Sequence, residues 1–248
     1  MSDCVSLVIA SRRRGVKIGP TLASVFAQTR VPDEVLVVND GGFPETREFI
    51  AAKFPSVRVV DAMAGSAGAA RNHGVELAVH PLVMFLDDDD LLQPHAVETL
   101  LRTLRTFPEA RAAFADHTFT DQTSGQHIPN HHRAVPSFQR LTWAKPIKTS
   151  GDVRLFDRRL YRPMLWGNLL QQPWLIERDT FRQLGGYEPV LCNEDWEFYL
   201  RIVRTHVVAL SDAVISDHIL EAGREHLSRS TRFDETSAAI IRKHLRQI

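Results

Sequence analysis

The chain has 248 residues, 44% of them hydrophobic and 24% charged, enough for one large domain or two small ones with a sizeable core. Basic and acidic residues stand at 30 each, so no global field draws the chain to nucleic acid, which is not expected as a partner. Two distant cysteines, Cys4 and Cys192, make neither a disulfide framework nor a zinc site and fit a reducing compartment.

The run 4–11 (CVSLVIAS) is nearly all apolar, as a strand buried on both faces requires. Its charges, Arg12 to Arg14, follow the apolar run. That order is wrong for a secretion signal, and the run is too short to span a bilayer. A soluble, cytoplasmic protein is expected, with attachment to the inner face of a membrane left open. Residues 18–29 space Ile18, Leu22, Val25 and Phe26 as a helix does, with Pro20 near its start. Residues 34–40 predict a second buried strand, 44–54 a second helix, 57–62 a third strand, 67–79 a third helix and 82–86 a fourth strand. Such alternation through short links means βαβ units and a mostly parallel sheet with helices on both faces. A helix over 95–107 and a strand over 111–119 follow. Residues 120–165 then lose periodicity and carry Pro, Gly, His and Arg, as a functional loop or substrate-binding insertion does. The rhythm resumes with a strand over 169–179, a short helix over 179–187 and a helix over 193–205. A strand over 207–212 and a helix over 233–248 complete the chain.

Four stretches carry chemistry. The strand 82–86 runs into Asp87, Asp88, Asp89 and Asp90, which places carboxylates at the carboxyl edge of the sheet, where open α/β folds bind ligands. Asp87 and Asp89 point to one side of an extended stretch and Asp88 to the other. Packed carboxylates call for a cation, and oxygen ligands of this kind suit magnesium or manganese bridged to a diphosphate. The competing reading caps the next helix with Asp89 or Asp90. In 37–43 (VVNDGGF) a strand ends at Asp40, which either builds an Asx turn or accepts a hydrogen bond from a ligand at that same edge. In 65–74 (GSAGAARNHG) small residues open a helix carrying Arg71, a candidate phosphate partner, although the lysine of a Walker loop is missing. In 192–202 (CNEDWEFYLRI) Glu194 and Asp195 start a helix, either as a favourable first turn or with one of them as a general base.

These stretches, in this order, resemble a family 2 glycosyltransferase of the GT-A fold, strongly over 4–115 and well over 170–202. The resemblance rests on VSLVIAS, TLASVFAQT, EVLVVNDGG, GAARNHGVELA, VMFLDDDDLLQP and GGYEPVLCNEDWEFYLRI. It implies a Rossmann-like, mostly parallel sheet flanked by helices and merged with a smaller mixed acceptor-binding part. A single domain over 1–248 is expected, with a nucleotide-sugar half to about 115 and an acceptor and base half from 116. By resemblance, Asp40 meets the nucleotide base, Asp88 the ribose and Asp89 the metal, with Asp87 completing the D-x-D pattern. Ala10, Arg12 and Arg71 fall with the nucleotide, Arg12 where an aromatic ring often stacks. Asp195 falls on the base, with Glu194 and Trp196 on the acceptor side. His218 and His226, in 217–230, are weaker candidates for the metal or diphosphate. The implied reaction is inverting transfer from a nucleotide-diphosphate sugar, with a divalent cation (Mn2+ or Mg2+), to a carbohydrate, lipid-linked or small-molecule acceptor. Cell-surface polysaccharide or glycoconjugate synthesis is the expected setting. In the irregular middle, His131 and His132 lack the spacing of a zinc site, and of Trp143, Trp166 and Trp174 most are expected in the core, though each has a face for a sugar. A sugar-phosphate nucleotidyltransferase and a non-catalytic nucleotide-sugar binder remain as alternatives.

Overall fold

The computed structural model describes residues 3–129, 144–190, 192–220 and 231–246. Its first half is the expected alternation: β1 (Val5–Ser11), α1 (Gly19–Phe26), β2 (Glu34–Asp40), α2 (Pro44–Lys53), β3 (Arg58–Ala62), α3 (Ala67–Leu77) and β4 (Leu82–Asp87). These four strands pair in parallel in the order β3-β2-β1-β4. Their apolar runs are explained by two cores, one on each face. Leu7, Ile9, Met84 and Leu86 point into the core under α1 and α2, while Val8, Val83 and Phe85 point into the other. On that second face α3 lies close enough to β1 that only glycine fits at 74: a Cβ there would stand 2.4 Å from Val8 Cγ1.

After β4 come β5 (Leu91–Leu92), α4 (Ala96–Thr106), β6 (Ala112–Asp121), β7 (Gln126–Ile128), β8 (Lys148–Ser150) and β9 (Val153–Phe156). The short helix α5 (Tyr161–Met164), β10 (Trp174–Glu177), α6 (Arg178–Gln183), α7 (Glu194–Thr205), β11 (Val208–Leu220) and α8 (Thr231–Leu245) complete it. The sheet continues β4-β10-β6-β11-β9-β8, with β10 antiparallel to both neighbours and β11 parallel to β6. An aromatic cluster seats α7 on it: Trp174 stacks on Phe85 and Phe114, with centroids 5.2 Å apart in both pairs, and packs against Phe198 and Tyr199.

Several boundaries differ from the expectation. The first helix opens as a 3-10 turn over Gly15–Ile18 and ends at Phe26. The strand expected from 169 begins only at Trp174, after Pro173, which has no N–H for the ladder. The strand expected over 207–212 runs to Leu220, because two register shifts between Leu210 and Ser216 break the alternation that marks a strand in sequence. Within the middle stretch the described residues hold β7, β8, β9 and α5. Asp90 does not cap a helix either: β5 intervenes, and α4 starts after His95.

Candidate active site

The carboxyl ends of β1, β2 and β4 bring together the residues expected on the donor side. Ala10 lies in register with Asp87 on one side and Val38 on the other. Asp40, buried at the end of β2, accepts from the backbone N–H of Ala64 (2.7 Å) and Gly65 (3.0 Å) through Oδ1. One of its oxygens therefore shapes the loop that leads into α3. Arg12 is exposed. The arginine against the acidic run is Arg14, buried, with Nε 3.5 Å from Asp88 Oδ1. Thr21 Oγ1 donates to the Asp88 carbonyl (3.1 Å), which fixes the turn after β4 from the α1 side.

Arg71 ties this edge to the second half of the chain. Its guanidinium, 4% exposed, contacts Asp87 Oδ1 at 2.5 Å and Glu194 Oε1 at 2.6 Å. Burial alone would lower its pKa, but the two carboxylates outweigh burial and hold it well above the ordinary arginine value. Gln172 completes the contact in the amide orientation that suits both neighbours, donating to Asp87 Oδ1 (3.3 Å) and accepting from Arg71 Nη2 (3.1 Å). The neighbouring Asn72 forms two hydrogen bonds with the Tyr187 backbone, accepting from its N–H and donating to its carbonyl, each 2.8 Å. Gly68 lets α3 approach this closely, since a Cβ there would lie 3.0 Å from Glu194 Cγ and 3.1 Å from Tyr187 Cβ.

Asp195 follows Glu194 in the first turn of α7, after Asn193 in the left-handed region (φ 61°) that asparagine tolerates. Its Oδ2 accepts from Asn168 Nδ2 at 3.0 Å. Burial and then the Glu194 charge push its pKa up to about 7, against the Trp196 N–H and Arg71, which lower it. A carboxylate that titrates there suits a general base near neutral pH. Trp196 itself is buried, and its indole N–H donates to the Met164 carbonyl (2.8 Å), so it braces α7 from within the core. Trp174 is likewise core, whereas Trp166 is 74% exposed.

His218, on the extended part of β11, reaches the acidic run. Its Nε2 lies 2.6 Å from the Gln172 carbonyl and so carries a proton, its Nδ1 faces Asp90 Oδ2 at 3.4 Å, and its ring lies 4.3 Å from that of His117. Burial lowers the His218 pKa. Burial first, then the charges of Asp87 and Asp89, raise that of Asp90 well above the carboxylate range. His226, His131, His132 and Trp143 lie outside the described residues. Among the described residues no group of three or more His, Cys, Asp or Glu is arranged to hold a metal, and no helix is long and apolar enough to cross a membrane. The pattern in the sequence did not single out Arg14 over Arg12, nor Asn72, Asn168 and Gln172. Only the RRR triplet and the ARN tripeptide hinted at two of them.

The profile of glycosyl transferase family 2 matches residues 6–163. The chain belongs to that family. It is 26% identical over 208 residues to the uncharacterized glycosyltransferase YwdF of Bacillus subtilis, covering 82% of this chain and 69% of YwdF. It is 31% identical over 100 residues to the uncharacterized glycosyltransferase YibD of Escherichia coli, covering 39% of this chain and 29% of YibD. The crystal structure of Staphylococcus aureus TarS 1-349 in complex with UDP-GlcNAc superposes with a TM-score of 0.71 at 16% identity, covering 96% of this chain and 65% of that one. The expected GT-A architecture is therefore the one observed. The chain spans under two thirds of the length of YibD and of this TarS fragment.

Proposed function

We propose that this family 2 chain is an inverting glycosyltransferase that moves a sugar from a nucleotide-diphosphate sugar to an acceptor hydroxyl, with Asp195 as general base. One observation carries the reading: the Arg71 guanidinium joins Asp87 at the donor edge to Glu194, the residue before Asp195. A donor at the strand ends and a base on α7 then lie within the span of one buried side chain. The TarS fragment bound to UDP-GlcNAc, with the same fold, favours a uridine-diphosphate sugar as donor. The same reading makes 1–248 one domain, with the nucleotide-sugar half to about 115 and the acceptor half beyond it.

A divalent cation fits the donor edge. Asp87 and Asp89 offer hard oxygen ligands, and magnesium or manganese needs only one or two carboxylates when diphosphate oxygens complete the shell. The acidic run supports this on charge: the repulsion felt by Asp90 is what an added cation relieves. When bound, the cation stabilises the departing diphosphate as a Lewis acid. Asp89 and Asp87 would hold it, and Asp88, set by Arg14 and Thr21, lies where the ribose is expected. Asp40 sits at the nucleotide-base end of the same edge. Asp195 takes the proton of the acceptor hydroxyl, and a single displacement inverts the anomeric centre. Carbohydrate, lipid-linked and small-molecule acceptors, in cell-surface polysaccharide or glycoconjugate synthesis on the cytoplasmic side, fall within the proposal.

The test incubates the protein with manganese or EDTA, a panel of nucleotide-sugars and candidate acceptors, and measures released nucleoside diphosphate. Turnover that needs manganese is expected. Asp195→Asn should keep UDP binding by calorimetry and lose transfer by about 100-fold or more. Near wild-type transfer by Asp195→Asn removes the base assignment. Pyrophosphate release from a nucleoside triphosphate and a sugar phosphate would make the chain a nucleotidyltransferase, and binding without turnover a lectin-like module.

A further inference from the structure

We propose that Asn168 is a positioning residue for the transfer step: its amide clamps one oxygen of Asp195 and turns the other toward the acceptor hydroxyl. The inference rests on Asp195 being the base. Asn168 Nδ2 donates to Asp195 Oδ2 at 3.0 Å. The amide cannot swap ends without loss, because Asn168 Oδ1 accepts from the Leu170 N–H at 3.3 Å. The loop is anchored directly behind it, since Leu169 and Leu170 are buried in the core at 1% and 0% exposure. A side-chain amide presents only donors from its nitrogen, so this contact favours the charged carboxylate over the acid.

The clamp also answers an electrostatic problem. Glu194 on the same helix and Asp87 from β4 repel charge on Asp195, and Arg71 from α3 attracts it. Tyr187 and Tyr199 face it as neutral phenols. Without a fixed donor the carboxylate would hold its proton more tightly. In the step itself the acceptor O–H proton passes to the second Asp195 oxygen, Oδ1. The acceptor oxygen bonds to the anomeric carbon, and the electron pair of the breaking bond leaves with the diphosphate. Asn168 touches none of the reacting atoms. It sets which oxygen receives the proton and at what pH.

The experiment compares the full-length chain with Asn168→Ala and Asn168→Leu, both of which remove the donor, so that either folded variant suffices. Carbon-13 NMR follows the Asp195 carboxyl through a pH titration without substrate. UDP binding is read by calorimetry, and transfer is read as a pH profile of kcat with the donor that the wild type turns over. The midpoint should rise by about one pH unit, the size expected for a lost hydrogen bond to a charged group. At pH 7 kcat should fall several-fold and recover toward pH 9, with donor KM and UDP affinity unchanged. A wild-type midpoint in a folded variant overturns the proposal. Its failure is separable from that of the base assignment. An active Asp195→Asn enzyme removes the base, whereas an inactive one beside an unshifted Asn168 variant removes only the clamp.

Discussion

Glu197 lies one turn into α7, with no solvent exposure, and is the most heavily paired carboxylate of that helix. Arg201 reaches it with Nε at 2.8 Å and Nη2 at 2.7 Å, Lys243 with Nζ at 2.7 Å, and His244 stands 3.4 Å away. Lys243 also pairs with Glu188, and the Tyr161 hydroxyl meets His244 Nδ1 at 3.0 Å, so one carboxylate joins α8, α7 and α5. Burial alone would raise its pKa. The His244, Arg201 and Lys243 contacts prevail and hold it down at about 2, from an ordinary 4.5. Because the folded value is the lower one, this contribution is fully present above pH 4.5 and is lost as pH falls through 2. The shift corresponds to about 3 kcal/mol at neutral pH and to about 1.5 kcal/mol at pH 3. Glu197→Gln should therefore lower the urea midpoint by about 1 M at pH 7, for a slope near 3 kcal/mol/M. By pH 3 the gap between variant and wild type should have roughly halved. On the proposed reading UDP binding should persist, because the edge formed by β1, β2 and β4 lies on other elements. A gap that stays constant from pH 7 to pH 3 would refute the electrostatic origin, and the absence of any gap would refute the role of the cluster.

Two further substitutions probe the frame of the site. Arg71→Met strands Glu194 beside Asp195 and should cost about 2–3 kcal/mol, the usual penalty for opening a buried pair being discounted because the Asp87 side chain is 36% exposed. Since Arg71 lowers the Asp195 pKa, the acid limb of the transfer profile should also move up in pH, and an unmoved limb with an unchanged urea midpoint would count against the bridge. Gly74→Ala drives a Cβ into Val8 and should cost about 2–3 kcal/mol, seen as a Tm on the order of 5–10 °C lower in calorimetry. A wild-type Tm would show that α3 rides freely over β1.

The first half of the fold was legible because its determinants are local. Each βαβ strand carries its own apolar run, and a parallel strand delivers its last residues to one edge wherever the helix returns. Asp40 and Asp87 could be placed from that rule alone. The second half resisted for physical reasons. β10 is only four residues long and starts after a proline, and β11 changes register twice, so neither shows a clean period. The clamp from Asn168 to Asp195 spans 27 positions and that from Arg71 to Glu194 spans 123, distances over which no spacing rule operates. Arg12 was singled out over Arg14 for a related reason. Three consecutive arginines look alike in sequence, and only the turn after β1, with Arg13 at φ 56°, decides which of them is turned inward.

The acidic run shows what the missing tertiary information changes. In sequence the four aspartates differ only by parity, which pairs Asp87 with Asp89 and leaves Asp90 to cap a helix. In the folded chain a turn follows Asp87, with the Asp90 N–H donating to the Asp87 carbonyl at 3.3 Å, so successive side chains leave in different directions. Asp87 meets Arg71 from α3, Asp88 meets Arg14 from the loop after β1, and Asp90 meets His218 from β11. Three neighbouring carboxylates are thus held by three separate elements, two of which carry permanent cations. The third partner, His218, is kept neutral by burial and donates from Nε2 to the Gln172 carbonyl, and its Nδ1 faces Asp90 Oδ2, whose carboxyl burial and the neighbouring charges push toward the protonated form. Asp87 and Asp88 are each paired inside the protein with an arginine from another element.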